Sequence, residues 1–442
     1  MAIFFGTDGI RGEVNEFLTH ELAYKCGNAI AGEKNNATIL IGGDTRVTRS
    51  FLTSAFASGA MAAGANIIDV GVCPTAGIAY LTRQLGMDFG VVVSASHNPA
   101  KYNGIKIFDH KGFKLGDNAE EALERKFVNN KTVDWGKIGS FHQDHSLIKL
   151  YENFLISCCE KKLDGLTIVL DAGYGAAYKV AARVFKKLGA KVKLLHCKNK
   201  GLLINDGCGS LYPNLLVEAV KKHKADLGMA FDGDSDRIIA CDETGKILDG
   251  DIILFIIAKY LKKTKRLSKN TIVGTSHTNI GIENELQRLG INLIRTDIGD
   301  KYVIAKMLEE GLDLGGEKSG HIIIREFATT GDGILSGIML AAMSKLSGER
   351  LSKLAAVKLC PQINIDCAVS DKLRVVNSEK LTETINEQRK ILGGNARVMV
   401  RCSGTEPKIR IMVECDDEKI AAFSAMKIEK IVYEIDTENK TK

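Results

Sequence analysis

Three times along the chain, a short apolar run rich in β-branched residues ends in a small or polar turn and leads into an amphipathic stretch. The runs are Ala37-Thr-Ile-Leu-Ile-Gly-Gly-Asp, Leu166-Thr-Ile-Val-Leu-Asp-Ala-Gly and Asn270-Thr-Ile-Val-Gly-Thr-Ser-His. Short, continuously apolar runs predict strands buried on both faces, and the stretches behind them predict helices. Each helical stretch closes on a glycine that starts a second strand, at Gly64, Gly189 and Gly290. Glycine suits a helix C-terminus because it takes the left-handed conformation without a Cβ clash. A third run recurs as Asp88-Phe-Gly-Val-Val-Val, Asp226-Leu-Gly-Met-Ala-Phe and Asp313-Leu-Gly-Gly. These open onto the polar loops Ser94-Ala-Ser-His-Asn-Pro, Asp232-Gly-Asp-Ser-Asp-Arg and Glu317-Lys-Ser-Gly-His.

The repeat predicts three similar domains, each holding one special loop at a strand's carboxyl end, where α/β sheets place their chemistry. After Pro361 the pattern changes. Asn364-Ile-Asp-Cys-Ala-Val, Ala396-Arg-Val-Met-Val and Ile409-Arg-Ile-Met-Val alternate like half-buried strands, with helical stretches at 377–392 and 418–435. The expected fold class is α/β: three similar mixed α/β domains followed by a smaller α+β C-terminal domain. The expected ranges are 1–150, 151–250, 251–364 and 365–442.

Composition narrows the function classes. Sixty Lys and Arg against 54 Asp and Glu leave +6 over 442 residues, too slight a basic excess to call for nucleic acid. The start, Met1-Ala-Ile-Phe-Phe-Gly-Thr-Asp, lacks the basic region and apolar core of a secretory signal. The longest apolar run, near Ile252 to Ala258, is too short to span a bilayer. Eleven cysteines, with no C-x-x-C pair, argue against a disulfide framework and for a reducing cytoplasm.

Five loops carry candidate chemistry. In Asp232-Gly-Asp-Ser-Asp-Arg237, carboxylates at alternate positions can converge on one hard cation such as Mg²⁺. The competing readings are an EF-hand, which would need glycine where Arg237 stands, a phospho-aspartyl nucleophile, and a solvated turn. Ser94-Ala-Ser-His-Asn-Pro99 follows a buried strand, so Ser96 could act as a nucleophile beside a metal, or the loop could be a plain hydrogen-bonded turn. Lys106 could face the same site or solvent. Gly315-Gly-Glu-Lys-Ser-Gly-His321 could hold a polyhydroxyl ligand through Glu317, Ser319 and His321, or be a surface loop. Arg401-Cys-Ser-Gly-Thr-Glu-Pro407 joins two strands with the makings of a phosphate cradle, or of a polar hairpin. Gly6-Thr-Asp-Gly-Ile-Arg-Gly12 lets backbone approach a ligand, with Arg11 to neutralise phosphate, or is a turn.

Together, in this order from Phe5 to Glu414, the loops resemble the α-D-phosphohexomutase family. The likeness is greatest to its bacterial branch acting on glucosamine phosphate. The connecting segments Ile204-Asn-Asp-Gly-Cys-Gly-Ser, Gly299-Asp-Lys-Tyr-Val and Ala328-Thr-Thr-Gly-Asp-Gly-Ile resemble that branch too. The resemblance implies four domains around a central cleft. It makes Ser96 the phosphorylated serine. Asp232, Asp234 and Asp236 would bind one Mg²⁺ per chain, with a phosphoserine oxygen as a further ligand. Arg11 and Arg237 would steady the phosphoserine region, and His97 and Lys106 would assist the transferring group. Glu317 and Ser319 would hold sugar hydroxyls, with His321 as a candidate proton carrier. Arg401, Ser403, Gly404 and Thr405 would clamp the phosphate that does not react, with Arg410 helping.

The implied reaction interconverts glucosamine 6-phosphate and glucosamine 1-phosphate through a 1,6-bisphosphate, on the route to cell-wall precursors. It implies a hexose 1,6-bisphosphate as activator, a phosphorylated amino sugar as substrate, and a monomer or homodimer in the cytoplasm with no nucleic-acid or membrane partner. One departure is Lys318, where that branch often carries Gln. The alternatives are a phosphomannomutase or phosphoglucomutase of the same family, a non-catalytic cation-binding protein, and an aspartyl phosphatase.

Overall fold

Each of the three repeated runs becomes the middle one of three parallel strands in its own sheet, flanked in the same way each time. In the computed structural model, which describes residues 4–6, 8–394, 396–403 and 406–437, Thr38–Gly43 lies between Asn66–Val72 and Phe89–Val93, parallel to both. Thr167–Asp171 lies between Lys191–Leu195 and Leu227–Phe231, again parallel to both. Thr271–Thr275 lies between Asn292–Thr296 and Leu314–Gly316 in the same manner. In every sheet the chain then turns back. Tyr102–Asp109, Ile238–Asp242 and Ile322–Ile324 pair antiparallel with the third strand. The three polar loops of the sequence are these three turnbacks, each leaving the carboxyl end of a third strand. The antiparallel fourth strands stand out less in the sequence because each follows its loop directly and blends with it.

The first sheet is the widest, with seven strands. The Gly-rich N-terminal segment forms the hairpin Phe5–Gly6 and Gly9–Glu13 and adds beyond Tyr102–Asp109. Phe141–Gln143 adds beyond Asn66–Val72. Helices His20–Ala31 and Arg49–Ala62 pack with their backbones almost touching. A Cβ on Gly27 would lie 2.0 Å from the Phe56 carbonyl oxygen, and one on Gly59 2.0 Å from that of Tyr24. Only glycine permits that approach, which brings the apolar faces of both helices onto Ile39, Ile41, Val91 and Val93 of the sheet.

The chain divides into two compact units, Met1–His277 with Ile291–Ala356, and Thr278–Gly290 with Val357–Lys442. The second contains an antiparallel sheet with Lys408–Glu414 between Gln362–Ala368 and Arg397–Cys402. The helices Glu379–Leu392 and Glu418–Thr437 complete a core of Cys367, Ile409, Ile411, Val413, Ala425 and Ile428. A short helix, Lys372–Val376, precedes the predicted helical start at 377. Asp371 caps it by accepting from the Leu373 and Arg374 N–H groups. The helix Ile280–Arg288 groups with this unit. Within it, Asn279 Nδ2 donates to the Cys360 carbonyl at 2.9 Å, and the Ile280 N–H donates to Glu414 Oε1 at 3.2 Å.

Among the described residues, no helix is long and apolar enough to cross a membrane.

Candidate active site

The turnbacks of the first two sheets meet at Ser96. Its side chain is fully buried, and its Oγ donates to Asp232 Oδ2 at 2.5 Å. Its backbone is left-handed, with φ 50°, a conformation a residue with a Cβ keeps only when its surroundings hold it there. Both of its backbone polar groups are held. The Ser96 N–H donates to Ser94 Oγ at 2.9 Å, and the Ser96 carbonyl accepts from Arg46 and Asn205.

Asp232, Asp234 and Asp236 bring carboxylate oxygens within 4.8 Å of one another, all buried. Lys106 Nζ lies 2.8 Å from Asp234 Oδ2 and 3.3 Å from Asp236 Oδ2, and is itself buried. Burial opposes its charge, but Asp234 and Asp236 outweigh that and raise its pKa. Lys106 is thus a fixed ammonium in the site rather than an exposed strand residue. Against the three carboxylates stand Lys106 and, 3.9 Å from Asp236 Oδ1, Arg237, which leaves the cluster short of positive charge. Burial, then Asp236 and Asp234, push Asp232 well above the usual carboxylate range. Burial opposes Asp236 as well, yet Lys106 and His321 hold it well below that range. Asp234 Oδ1 and Asp236 Oδ1 are buried without a hydrogen-bond partner. Orphaned oxygens on converging carboxylates are what a hard divalent cation requires, so the residues fit one.

His97 sits beside Ser96, its Nδ1 3.4 Å from Ser96 Oγ and 3.1 Å from Arg237 NH1. Burial, then Arg237 and Arg11, lower its pKa to about 4. It is therefore a neutral imidazole near neutral pH, with Nδ1 accepting from Arg237. Arg11 pairs with Asp8, which also lies 3.1 Å from Lys106 and pairs with Lys114. Lys114 in turn pairs with Asp300.

The third turnback joins the second through the backbone. Arg237 and His321 form an isolated antiparallel bridge, and the Ile238 N–H donates to the Gly320 carbonyl at 3.1 Å. The Gly331 N–H donates to His321 Nε2 at 2.9 Å. That contact places the ring proton on Nδ1, which faces Asp236 Oδ2 at 3.6 Å. Asp300 Oδ2 lies 3.5 Å from Nε2. Glu317 Oε1 accepts the Gly299 N–H at 3.0 Å, and Ser319 Oγ is buried without a hydrogen-bond partner. Lys318 acts electrostatically on Asp249.

In the second unit, Arg401 and Arg410 are directly opposite across the ladder of Arg397–Cys402 and Lys408–Glu414. Like charges in that position destabilise a sheet unless an anion lies between them. Arg410 NH2 is 3.2 Å from Glu406 Oε2. Ser403 is buried, and its Oγ accepts the Glu406 N–H at 3.3 Å. Gly404 and Thr405 lie outside the described residues.

The structure thus brings Arg11, Ser96, His97, Lys106, Asp232, Asp234, Asp236, Arg237 and His321 into one connected cluster, with Glu317 and Ser319 on the third turnback. It adds Asp8, Asp44, Arg46, Lys114, Asn205 and Asp300, which the sequence reading missed. The signal for Asp44 and Arg46 was present, in two charges just past the carboxyl end of a buried strand. Asn205 and Asp300 stood in segments noted above without a role.

A fold of three repeated mixed sheets and a smaller antiparallel domain, with one polar turnback in each repeat, belongs to the phosphoglucomutase/phosphomannomutase family, and this chain is a member of it. The family's α/β/α domains I, II and III match residues 2–134, 147–245 and 249–359, and its C-terminal domain matches 363–431. The chain is 42% identical to the phosphoglucosamine mutase of Alkaliphilus oremlandii over 444 residues, 98% of this chain and 99% of the relative. It is 43% identical to that of Pelotomaculum thermopropionicum over 423 residues, 94% and 95% of the two chains. Its fold is similar to the crystal structure of a phosphoglucomutase/phosphomannomutase family protein from Burkholderia thailandensis, with TM-score 0.83 and 23% identity over 98% and 97% of the two chains. It is similar also to the N-acetylphosphoglucosamine mutase of Aspergillus fumigatus in complex with GlcNAc-6P and magnesium, with TM-score 0.70 and 17% identity over 99% and 96%.

Proposed function

We propose that this protein interconverts glucosamine 6-phosphate and glucosamine 1-phosphate, with Ser96 carrying the phosphoryl group and a glucosamine 1,6-bisphosphate as the intermediate. The observation that carries the reaction class is the 2.5 Å contact between Ser96 Oγ and Asp232, within a carboxylate cluster that keeps orphaned oxygens. The choice of sugar rests on full-length relatives named phosphoglucosamine mutase.

Phosphoserine 96 gives its phosphoryl group to the free hydroxyl of the sugar phosphate. The P–Oγ bond breaks, a P–O bond to the sugar forms, and the hydroxyl proton must leave. We assign that proton to His321. Taken at Nε2 in place of the Gly331 contact, it would leave an imidazolium between Asp300 and Asp236. Asp232, Asp234 and Asp236 would hold one Mg²⁺, which when bound neutralises charge on the group in flight. Lys106, a fixed ammonium, and Arg237 act on the same charge from the protein side. In the second half-reaction Ser96 Oγ attacks the other phosphoryl group, the P–O bond to the sugar breaks, and the freed sugar oxygen takes the proton that His321 holds. His97, already neutral, accepts from Arg237 at the Nδ1 that lies 3.4 Å from Oγ, which fixes its ring beside Ser96. Glu317 and Ser319 orient sugar hydroxyls, and Arg401, Ser403, Gly404, Thr405 and Arg410 grip the idle phosphate. We further propose that a hexose 1,6-bisphosphate primes Ser96 and that the domains divide at 1–150, 151–250, 251–364 and 365–442. The protein would act in the cytoplasm as a monomer or homodimer.

The test is an assay of the purified protein with Mg²⁺ and a catalytic amount of hexose 1,6-bisphosphate, comparing glucosamine, glucose and mannose phosphates by kcat/KM. The expected result is a clear preference for glucosamine phosphate. A preference for glucose or mannose phosphate would overturn the sugar assignment and direct attention to Lys318, while leaving the Ser96 chemistry standing.

A further inference from the structure

Arg46 is among the largest fully buried side chains of the molecule. Nothing in the proposed chemistry uses it. Its guanidinium donates to five acceptors. Nε bonds Asp44 Oδ2 at 2.9 Å, NH1 bonds the Pro99 and Tyr102 carbonyls, and NH2 bonds the carbonyls of Ser96 at 3.0 Å and Asn98 at 2.7 Å. Four of the five are backbone oxygens of one turnback, the loop that carries Ser96. Asp44 closes the circuit, since its Oδ2 accepts from Ser94 Oγ at 2.6 Å and Ser94 Oγ accepts the Ser96 N–H. From the second sheet's connection, Asn205 Nδ2 reaches the same two carbonyls, Ser96 at 2.9 Å and Asn98 at 3.1 Å.

A surface loop would satisfy these carbonyls with water. Here they are turned inward onto a fork of fixed geometry, and the residue they flank is the one with a left-handed backbone at φ 50°. A serine relaxed to negative φ would carry its Oγ elsewhere. We propose that Arg46 is a positioning residue for phosphoryl transfer, holding Ser96, with Asn205, in the backbone conformation that aims Oγ at Asp232. The inference rests on the reading of Ser96 as phosphoryl carrier. Planarity and five donors are what the job requires, and lysine offers neither.

The experiment follows the phosphorylation of Ser96 by a hexose 1,6-bisphosphate in a single turnover, read by phosphopeptide mass spectrometry, beside steady-state kcat, KM and Mg²⁺ affinity. In Arg46→Lys the transfer rate and kcat should both fall about a hundredfold, the scale of a misplacement near 1 Å, with KM and Mg²⁺ affinity unchanged. Asn205→Ala should fall in the same direction by less, about tenfold, since Arg46 remains, and it serves if Arg46→Lys does not fold. Wild-type transfer rates in the folded variants would overturn the proposal. So would a fall in kcat matched by an equal rise in KM and a loss of Mg²⁺ affinity, which would mark general damage. Absence of phosphate at Ser96 in the wild-type protein would instead sink the carrier reading itself.

Discussion

Two hairpin loops of this protein are built for opposite charges. In the Asp232–Arg237 loop three carboxylates converge, fully buried, with one ammonium and two orphaned oxygens among them. On the strands Arg397–Cys402 and Lys408–Glu414 that flank the other loop, Arg401 and Arg410 face each other across a ladder, and Arg410 and its partner Glu406 are each about two-fifths exposed. The first concentrates negative charge where water cannot screen it, which suits a cation, and its geometry is fixed by neighbours on several strands. The second keeps its positive charge near solvent, where an anion can enter and leave. A phosphoryl-transfer enzyme needs both, a rigid place where the bond changes and a releasable grip on the phosphate that waits.

The comparison predicts which substitutions remove chemistry and which remove binding. Ser96→Ala would delete the proposed phosphoryl carrier and should lower kcat by about a thousandfold or more while the fold, read by circular dichroism, stays intact. Near wild-type turnover would end the phosphoserine reading. Asp234→Asn comes next. It removes one charge from the cluster and should weaken Mg²⁺ binding, measured by calorimetry, beyond the roughly 10–100-fold that an outer-shell change costs. Arg401→Ala should act on the other side. Losing hydrogen bonds to a charged phosphate costs about 1.5–3 kcal/mol, so KM for the phosphosugar should rise with Mg²⁺ affinity untouched. If Mg²⁺ affinity falls equally in Arg401→Ala, the contrast between the two loops fails.

The same contrast explains what could be read in advance. The three repeated sheets were legible because a buried strand writes its whole environment into five consecutive residues. The three aspartates could be grouped from the sequence because they sit within one turn, as do Glu317 and Ser319. Arg46, Asn205, Asp8 and Asp300 were not assigned, because besides near neighbours such as Asp44 and Arg11 each acts through partners that lie far away in sequence. Ser94 and Asp44 are fifty positions apart and 2.6 Å apart in space. A lone arginine or asparagine past a strand end reads as surface, and only its burial reveals what it holds. The N-terminal hairpin was missed for a related reason, since Gly9–Glu13 has one apolar residue and is a strand only because Tyr102–Asp109 lies beside it.

The smallest effect expected concerns His97 and works through pH. Its folded pKa, about 4, lies below the ordinary value of 6.5 because burial, Arg237 and Arg11 disfavour its charge. Between those values the unfolded chain binds a proton that the folded protein refuses. Stability therefore declines as pH falls from 6.5 toward 4 and gains nothing further from this residue above 6.5. His97→Gln removes the term. The stability difference between wild type and variant, from urea unfolding, should then be constant from pH 7 to 8. Below pH 6 it should shift against the wild type. A difference that stays flat down to pH 5 would mean that His97 is not held neutral, and that the cations around Ser96 are better screened than their burial implies.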